Sequence, residues 1–330
     1  MYNMIRVGIV GCGLIGHKRA KSFKDATLIA CADLNLEKAE TLAKANAGCQ
    51  VMVSWQELVQ HPDIDVVVIA VTHADLAEIS IAAVRAGKHV LVEKPAGRRA
   101  AELLPLKQLA EEKQRCVRVG FNHRYHRAFR KAMALVKEGA LGELMFIRAR
   151  YGHGGRIGYD KEWRAIPELS GGGELIDQGV HLIDLSRWFL GEFSDIQGFA
   201  HTYYWDMPVD DNGFLLLKTD KKQTAFLHAS CSEWKNLFSF EIYGKLGKLD
   251  IQGLGGSYGV ERLAFYKMLP EMGPPETTIW EYPMADDSWA VEWVDFMQDI
   301  KSGRQSSPGV NDAIAALRVV EAVYEQSGHK

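Results

Sequence analysis

The chain has 330 residues, enough for about two domains of ordinary size. Hydrophobic residues make up 47% and charged residues 25%, which excludes disordered, collagen-like and coiled-coil chains. Lys plus Arg is 39 against 42 for Asp plus Glu, a net charge of -3, so a general nucleic-acid or anionic-membrane binder is not expected.

The first third alternates strands and helices. Strands are predicted at Arg6 to Val10, Thr27 to Ala32, Asp65 to Val71, His89 to Glu93 and Cys116 to Gly120. Helical patterns fall between them at Ile15 to Phe23, Leu36 to Ala45, Trp55 to Val59, Asp75 to Ala86 and Ala100 to Lys113. Strands apolar on both faces and alternating with helices predict a doubly wound parallel sheet over residues 1–121. After residue 122 the pattern changes. Helices at Phe129 to Glu138 and from about Gly173 to Phe189 flank the run Glu143 to Tyr151. Strands follow at Ile196 to Thr202, Gly213 to Thr219, Thr224 to Ser230, Leu237 to Tyr243 and Lys248 to Ile251, several joined by short turns. Residues 252–288 read as loop, and helices from Trp289 to Ile300 and Val310 to Tyr324 end the chain. The second domain, 122–330, is therefore expected to be α+β, with a large, mainly antiparallel open sheet.

Five cysteines, odd in number and without a C-x-x-C pair, give no disulfide framework or structural zinc site and fit a reducing compartment. The start lacks a cationic-then-apolar leader, and the longest apolar runs fall far short of the roughly 20 residues that span a bilayer. The expectation is a soluble, cytoplasmic protein.

The first chemical signal is Gly11-Cys-Gly13-Leu14-Ile15-Gly16, closing a strand and opening a helix. Gly11 suits the tight turn, Gly13 the close approach of a pyrophosphate, and Gly16 close helix–strand packing. The helix N-terminus adds amide donors for phosphates. Asp33, 17 residues after Gly16, suits the ribose hydroxyls and repels a 2′-phosphate, and Leu34 stands where an arginine would favour one. The expected cofactor is NAD, with NADP disfavoured.

Glu93-Lys94-Pro95 follows a buried strand, where ligands bind in open α/β sheets. Read alone, Lys94 is either a surface lysine or a donor to a substrate oxygen. The third signal is Gly171-Gly-Gly173-Glu-Leu-Ile-Asp177-Gln-Gly-Val-His181-Leu-Ile-Asp184. Spacings of four and then three put Asp177, His181 and Asp184 on one helical face. The alternatives are a proton-handling histidine beside a carboxylate, a structural pair, or a metal site. A metal needs more ligands than the spacing supplies, so none is expected.

Together, VGIVGCGLIG at 7–16, Asp33, AGKHVLVEKP at 86–95, GFNHRY at 120–125 and GGGELIDQGVHLIDLSRWF at 171–189 resemble the glucose–fructose oxidoreductase/inositol dehydrogenase family, Gfo/Idh/MocA. The resemblance runs essentially end to end. It implies an N-terminal NAD-binding Rossmann domain and a C-terminal domain for substrate binding and oligomerisation. It also puts Lys94, Asp177 and His181 at the family's catalytic lysine, aspartate and histidine. One segment departs: Val71-Thr72-His73-Ala74-Asp75-Leu76 lacks the family's proline and final histidine. Thr72, His73, Glu93 and Lys94 remain expected beside the cofactor.

The implied chemistry is hydride transfer between nicotinamide and a secondary alcohol or ketone of a sugar, sugar nucleotide or cyclitol. His181 takes the hydroxyl proton, Lys94 hydrogen-bonds the same oxygen, and Asp177 orients His181 or binds an adjacent hydroxyl; which of Lys94 and His181 is the base stays open. Asn122, Arg124, Tyr151, Arg156, Trp163 and Arg164 are the expected substrate contacts, the last three in a Gly-rich loop that combines cations with aromatics. Two other functions are compatible with the pattern: an NAD-dependent glycosidase using transient oxidation, and a non-catalytic cofactor-sensing regulator. Strands such as GFLLLKT and TAFLHAS, apolar on both faces, predict a homodimer or homotetramer unless 252–288 folds over the sheet.

Overall fold

In the computed structural model, which describes residues 4–271 and 273–328, the β-branched runs of the first third form one six-stranded sheet. Its strands are β1 (Ile5–Val10), β2 (Ala26–Ala32), β3 (Gln50–Val51), β4 (Val66–Ile69), β5 (His89–Val92) and β6 (Val117–Val119). Their order is β3-β2-β1-β4-β5-β6, all parallel. Helices α1 (Leu14–Ser22), α2 (Leu36–Lys44), α3 (Trp55–Gln60), α4 (His73–Arg85) and α5 (Ala100–Lys113) connect them. All four residues of β4 are buried, as a strand covered on both faces requires. The chain reverses direction across the sheet between β1 and β4, the place where such sheets bind ligands.

The second sheet has eight strands and begins after α6 (Arg127–Lys137) with β7 (Leu144–Gly152). A short α7 (Pro167–Ser170) and a π turn at Leu175–Gly179 lead into α8 (Val180–Leu190). Then come β8 (Asp195–His201), β9 (Asn212–Lys218), β10 (Thr224–Ser230), β11 (Leu237–Gly244), β12 (Gly247–Gln252), β13 (Glu261–Lys267) and β14 (Glu276–Tyr282). The order is β14-β13-β12-β11-β7-β10-β9-β8, antiparallel except where β7 lies beside β10. One face buries Ala225, Leu227, Phe238, Phe240, Ile242 and Leu249, and α8 with the π turn packs on its β7–β10 region. The other face leaves Phe199, Leu216 and Phe226 exposed. Helices α9 (Ser288–Ser302) and α10 (Val310–Gln326) complete the chain.

Three local expectations change. Residues 252–288 are not a covering loop: they supply β13 and β14, which widen the sheet. The segment 173–189 is not one regular helix, because the π turn holds Asp177 before α8 begins. Helix α9 does not cover the second sheet. Its Trp293, Phe296 and Met297 join Val7, Ile9, Leu28 and Val66 in one core, so residues 289–314 group with 1–121 and residues 122–288 with 315–330.

Within that first unit, the Arg19 guanidinium of α1 is fully buried between two carboxylates. Its Nε donates to Glu93 at 2.7 Å, and Nη1 meets Glu292 of α9. Burial pushes the Glu292 carboxyl up, and Arg19 offsets only part of that rise. Arg19→Met leaves both acids buried without their cation and is expected to lower unfolding stability by about 3–5 kcal/mol. Denaturant titration of the full chain checks this, and an unchanged midpoint would contradict it.

Candidate functional site

The dinucleotide loop is shaped by backbone contacts. Gly11 has φ +94°, and a Cβ there would run into the Ala70 carbonyl. A Cβ on Gly16 would strike the Gly11 carbonyl, whereas nothing lies within 4 Å of the corresponding position on Gly13. That open side over the start of α1 is where a pyrophosphate fits. Leu14 and Ile15 form the first turn of α1. Asp33 follows β2, and its carboxylate accepts the Cys12 N–H at 2.7 Å and the Asn35 N–H at 2.8 Å. Those amides hold it at the end of the glycine turn, where a ribose can reach it.

Thr72 precedes α4 beyond the end of β4, its hydroxyl donating to Asp75 at 3.0 Å, and His73 is the first residue of that helix. Lys94 and Glu93 follow β5. The order β2-β1-β4-β5 thus sets Asp33, the glycine loop, Thr72–His73 and Glu93–Lys94 along adjacent strand ends. Glu93 gives its carboxylate to Arg19, so its part is to anchor the turn that carries Lys94.

In the second unit, Asp177 and His181 occupy the π turn and the start of α8, both buried. The Asp177 carboxylate accepts from Arg164 Nε at 2.8 Å. Burial opposes the Arg164 charge, but Asp177 outweighs it and raises the guanidinium pKa. The His181 ring stacks on His123 with centroids 3.6 Å apart. Tyr151 of β7 lies 5.3 Å from His123 and 5.1 Å from Tyr258, ring to ring. Burial pushes the Tyr151 hydroxyl up, and that of Tyr258 to about 12, so both are neutral hydroxyls able to donate.

The remaining expected contacts divide. Trp163 stacks under Arg164, 4.6 Å from its guanidinium carbon. Arg156 is exposed and pairs with Glu162 at 2.7 Å. Asn122 is buried and donates to Ser288 at 3.0 Å, and Arg124 grips Asp184 through Nε at 2.8 Å. Asp184 therefore serves Arg124. His123 lies within the segment GFNHRY at 120–125 that the sequence already marks, whereas Tyr258, His153 and Glu174 carry no predicted role; only their proximity to the recognised motifs could have drawn attention to them. Among the described residues, no group of three or more His, Cys, Asp or Glu side chains could hold a metal ion.

Two family models match the chain: an oxidoreductase family, NAD-binding Rossmann fold over residues 5–121, and a GFO/IDH/MocA C-terminal domain over 129–250. The chain belongs to the GFO/IDH/MocA oxidoreductase family. Levoglucosan dehydrogenase of Pseudarthrobacter phenanthrenivorans is 24% identical over 98% of this chain and 96% of its own. Inositol 2-dehydrogenase of Rhizobium meliloti is 26% identical over 99% and 98%. A solved levoglucosan dehydrogenase in complex with NADH superposes with a TM-score of 0.87 over 98% of both chains, at 24% identity.

This member of the GFO/IDH/MocA family is an oxidoreductase with an NAD-binding Rossmann domain. Gly11, Gly13, Leu14, Ile15, Gly16 and Asp33 would hold the dinucleotide. A 2′-phosphate set against Asp33 suffers like-charge repulsion of several kcal/mol. Calorimetry is expected to give NADP a Kd at least about tenfold weaker than NAD, and Asp33→Ser should narrow the gap. Equal affinities in the unaltered protein would contradict this reading of Asp33.

Proposed function

We propose that the protein transfers hydride between NAD and a secondary alcohol or ketone of a sugar, a cyclitol or a sugar nucleotide. The observation that carries the proposal is the buried pair of side chains on the π turn and α8: Asp177 held by Arg164, and His181 stacked on His123. NAD, when bound, would supply the hydride acceptor for the carbinol carbon. His181 takes the hydroxyl proton as the C–H bond breaks, and in the reverse direction returns it. Lys94 donates a hydrogen bond to the same oxygen and stabilises its developing negative charge. Asp177 accepts from a neighbouring substrate hydroxyl while Arg164 fixes its orientation. Tyr151, Trp163 and Arg156 contact the rest of the substrate, Trp163 offering an aromatic face to C–H groups. Asn122 and Arg124 act through their own partners, Ser288 and Asp184, and Asn122 also meets the His123 ring.

Residues 1–121 would then serve the cofactor, and the eight-stranded unit substrate binding and assembly. The exposed apolar face with Phe199, Leu216 and Phe226, left uncovered by β13 and β14, supports a homodimer or homotetramer built sheet to sheet. No helix in the described residues is long and apolar enough to cross a membrane, and five free thiols accord with a cytoplasmic setting.

Three measurements test these assignments. A panel of sugars, sugar acids, nucleotide sugars and inositols with NAD is expected to yield NADH from at least one class. His181→Asn should then lower kcat by about 10²–10⁴-fold, and undiminished turnover would overturn its role. Release of an aglycone without NADH would instead indicate the glycosidase reading. Light scattering at micromolar concentration should give two or four times the 36.9 kDa chain mass, and a monomer mass would reject the assembly.

A further inference from the structure

The loop 152–165 brings Arg164 to Asp177, yet it is glycine-rich and its helical structure is limited to two single 3-10 turns, Tyr159–Lys161 and Trp163–Ala165. Two of its side chains meet one carboxylate. The Tyr159 hydroxyl donates to Glu174 Oε2 at 3.4 Å, and His153 Nε2 lies 3.5 Å from Glu174 Oε1. His153 Nδ1 accepts the Gly155 N–H at 2.9 Å, which leaves the ring proton on Nε2, facing Glu174. Glu174 is 1% exposed and stands three residues before Asp177. It therefore joins the loop that carries Arg164 to the turn that carries Asp177.

We propose that Glu174, as a carboxylate, is the positioning residue of the site: through His153 and Tyr159 it fixes the 152–165 loop, and through that loop the Arg164–Asp177 pair. The inference rests on the proposed role of Asp177. Several titratable or charged groups bear on Glu174. His153 and Tyr159 face it from the loop, Asp177 from its own element, and Asp210 from the segment between β8 and β9. Tyr151, Tyr258 and Cys231 feel its charge, and Arg164 adds a positive charge near His153. Burial pushes the Glu174 carboxyl up, His153 pulls it down, and Asp177 and Asp210 push it up again. The net shift is upward, so its proton returns at a higher pH than for an exposed glutamate. Protonation removes the charge that faces His153 and turns one carboxyl oxygen into a donor, so the contacts to His153 and Tyr159 no longer hold together.

Hydrogen-exchange protection of the 152–165 amides, corrected for intrinsic rates, tests this without any substrate. In the unaltered full chain, protection should fall several-fold as pH is lowered from about 8 to about 4. Glu174→Gln, which cannot ionise and offers a single acceptor oxygen, should show the low protection of the acid form at every pH, and so should Glu174→Ala. The same acid loss in Glu174→Gln would assign the effect to His153 and overturn the proposal. Constant protection in the unaltered chain, which requires no variant, would overturn it too. With a substrate from the NAD panel, the acid limb of kcat/KM should move in Glu174→Gln to the limb set by His181 alone, and the loss of activity should not add to that of Arg164→Met. An unmoved limb, or additive losses, contradicts the role of Glu174 alone. Absence of NADH from every substrate contradicts the hydride-transfer reading and leaves the exchange result to decide the positioning.

Discussion

One buried carboxylate organises the unit that carries Asp177 and His181. Asp210, fully buried before β9, accepts the Gly173 N–H through Oδ1 and the Leu175 N–H through Oδ2, both at 2.8 Å. The Tyr324 hydroxyl of α10 donates to Oδ1 at 2.7 Å. These bonds satisfy amides that the start of a helix leaves without intrahelical partners, and a negative charge there suits the helix dipole. They also explain two of the three consecutive glycines. A Cβ on Gly173 would fall inside the Asp210 carbonyl, and one on Gly172 inside the Tyr324 ring. The close approach fixes where the π turn starts, and so the direction in which Asp177 and His181 face.

The first unit uses a cation in the same way. Arg19 lies one helical turn past Gly16 and ties α1 to Glu93, the residue before Lys94, and to α9. The loop for the pyrophosphate and the turn bearing Lys94 are thus connected through one guanidinium. Arg118 repeats the device from β6, with Asp295 at 2.9 Å and with Asp299, both on α9. Buried charges are tolerated where each has an opposite charge and geometry that satisfies its donors. Here they dock a helix from late in the sequence onto an early sheet.

Much of the fold could be read from local pattern. The apolar run at β4, the glycines after β1, and the acid after β2 each follow from short-range rules of strand pairing and turn chemistry. The partners of those residues could not be read. Nothing in WVDFMQ announces that Trp293 and Phe296 pack on Val7 and Ile9, almost three hundred residues earlier. Strands β13 and β14 were hidden because ERLAFYK and ETTIWEY mix charges with apolar residues and lie among glycines and prolines. At the site, the Asp177–His181 spacing was visible, but Arg164 reaches Asp177 across a loop whose path no periodicity encodes. Glu174 reads in sequence as an acid at a helix start; only burial beside His153 and Tyr159 sets it apart. Arg124 and Asn122 looked like ligand groups because exposed polar residues and satisfied buried ones are indistinguishable in sequence.

These placements make one chemical claim: a carbinol hydrogen passes directly to the nicotinamide while side chains of this protein handle the proton. Isotope transfer tests it most directly. A substrate from the responsive class, carrying deuterium at the oxidised carbon, is incubated with NAD and the protein, and the reduced cofactor is weighed by mass spectrometry. Direct hydride transfer predicts reduced cofactor heavier by one deuterium, with slower turnover than for the protiated substrate where the C–H step limits the rate. Reduced cofactor of unchanged mass, with the label lost to water, would contradict the account.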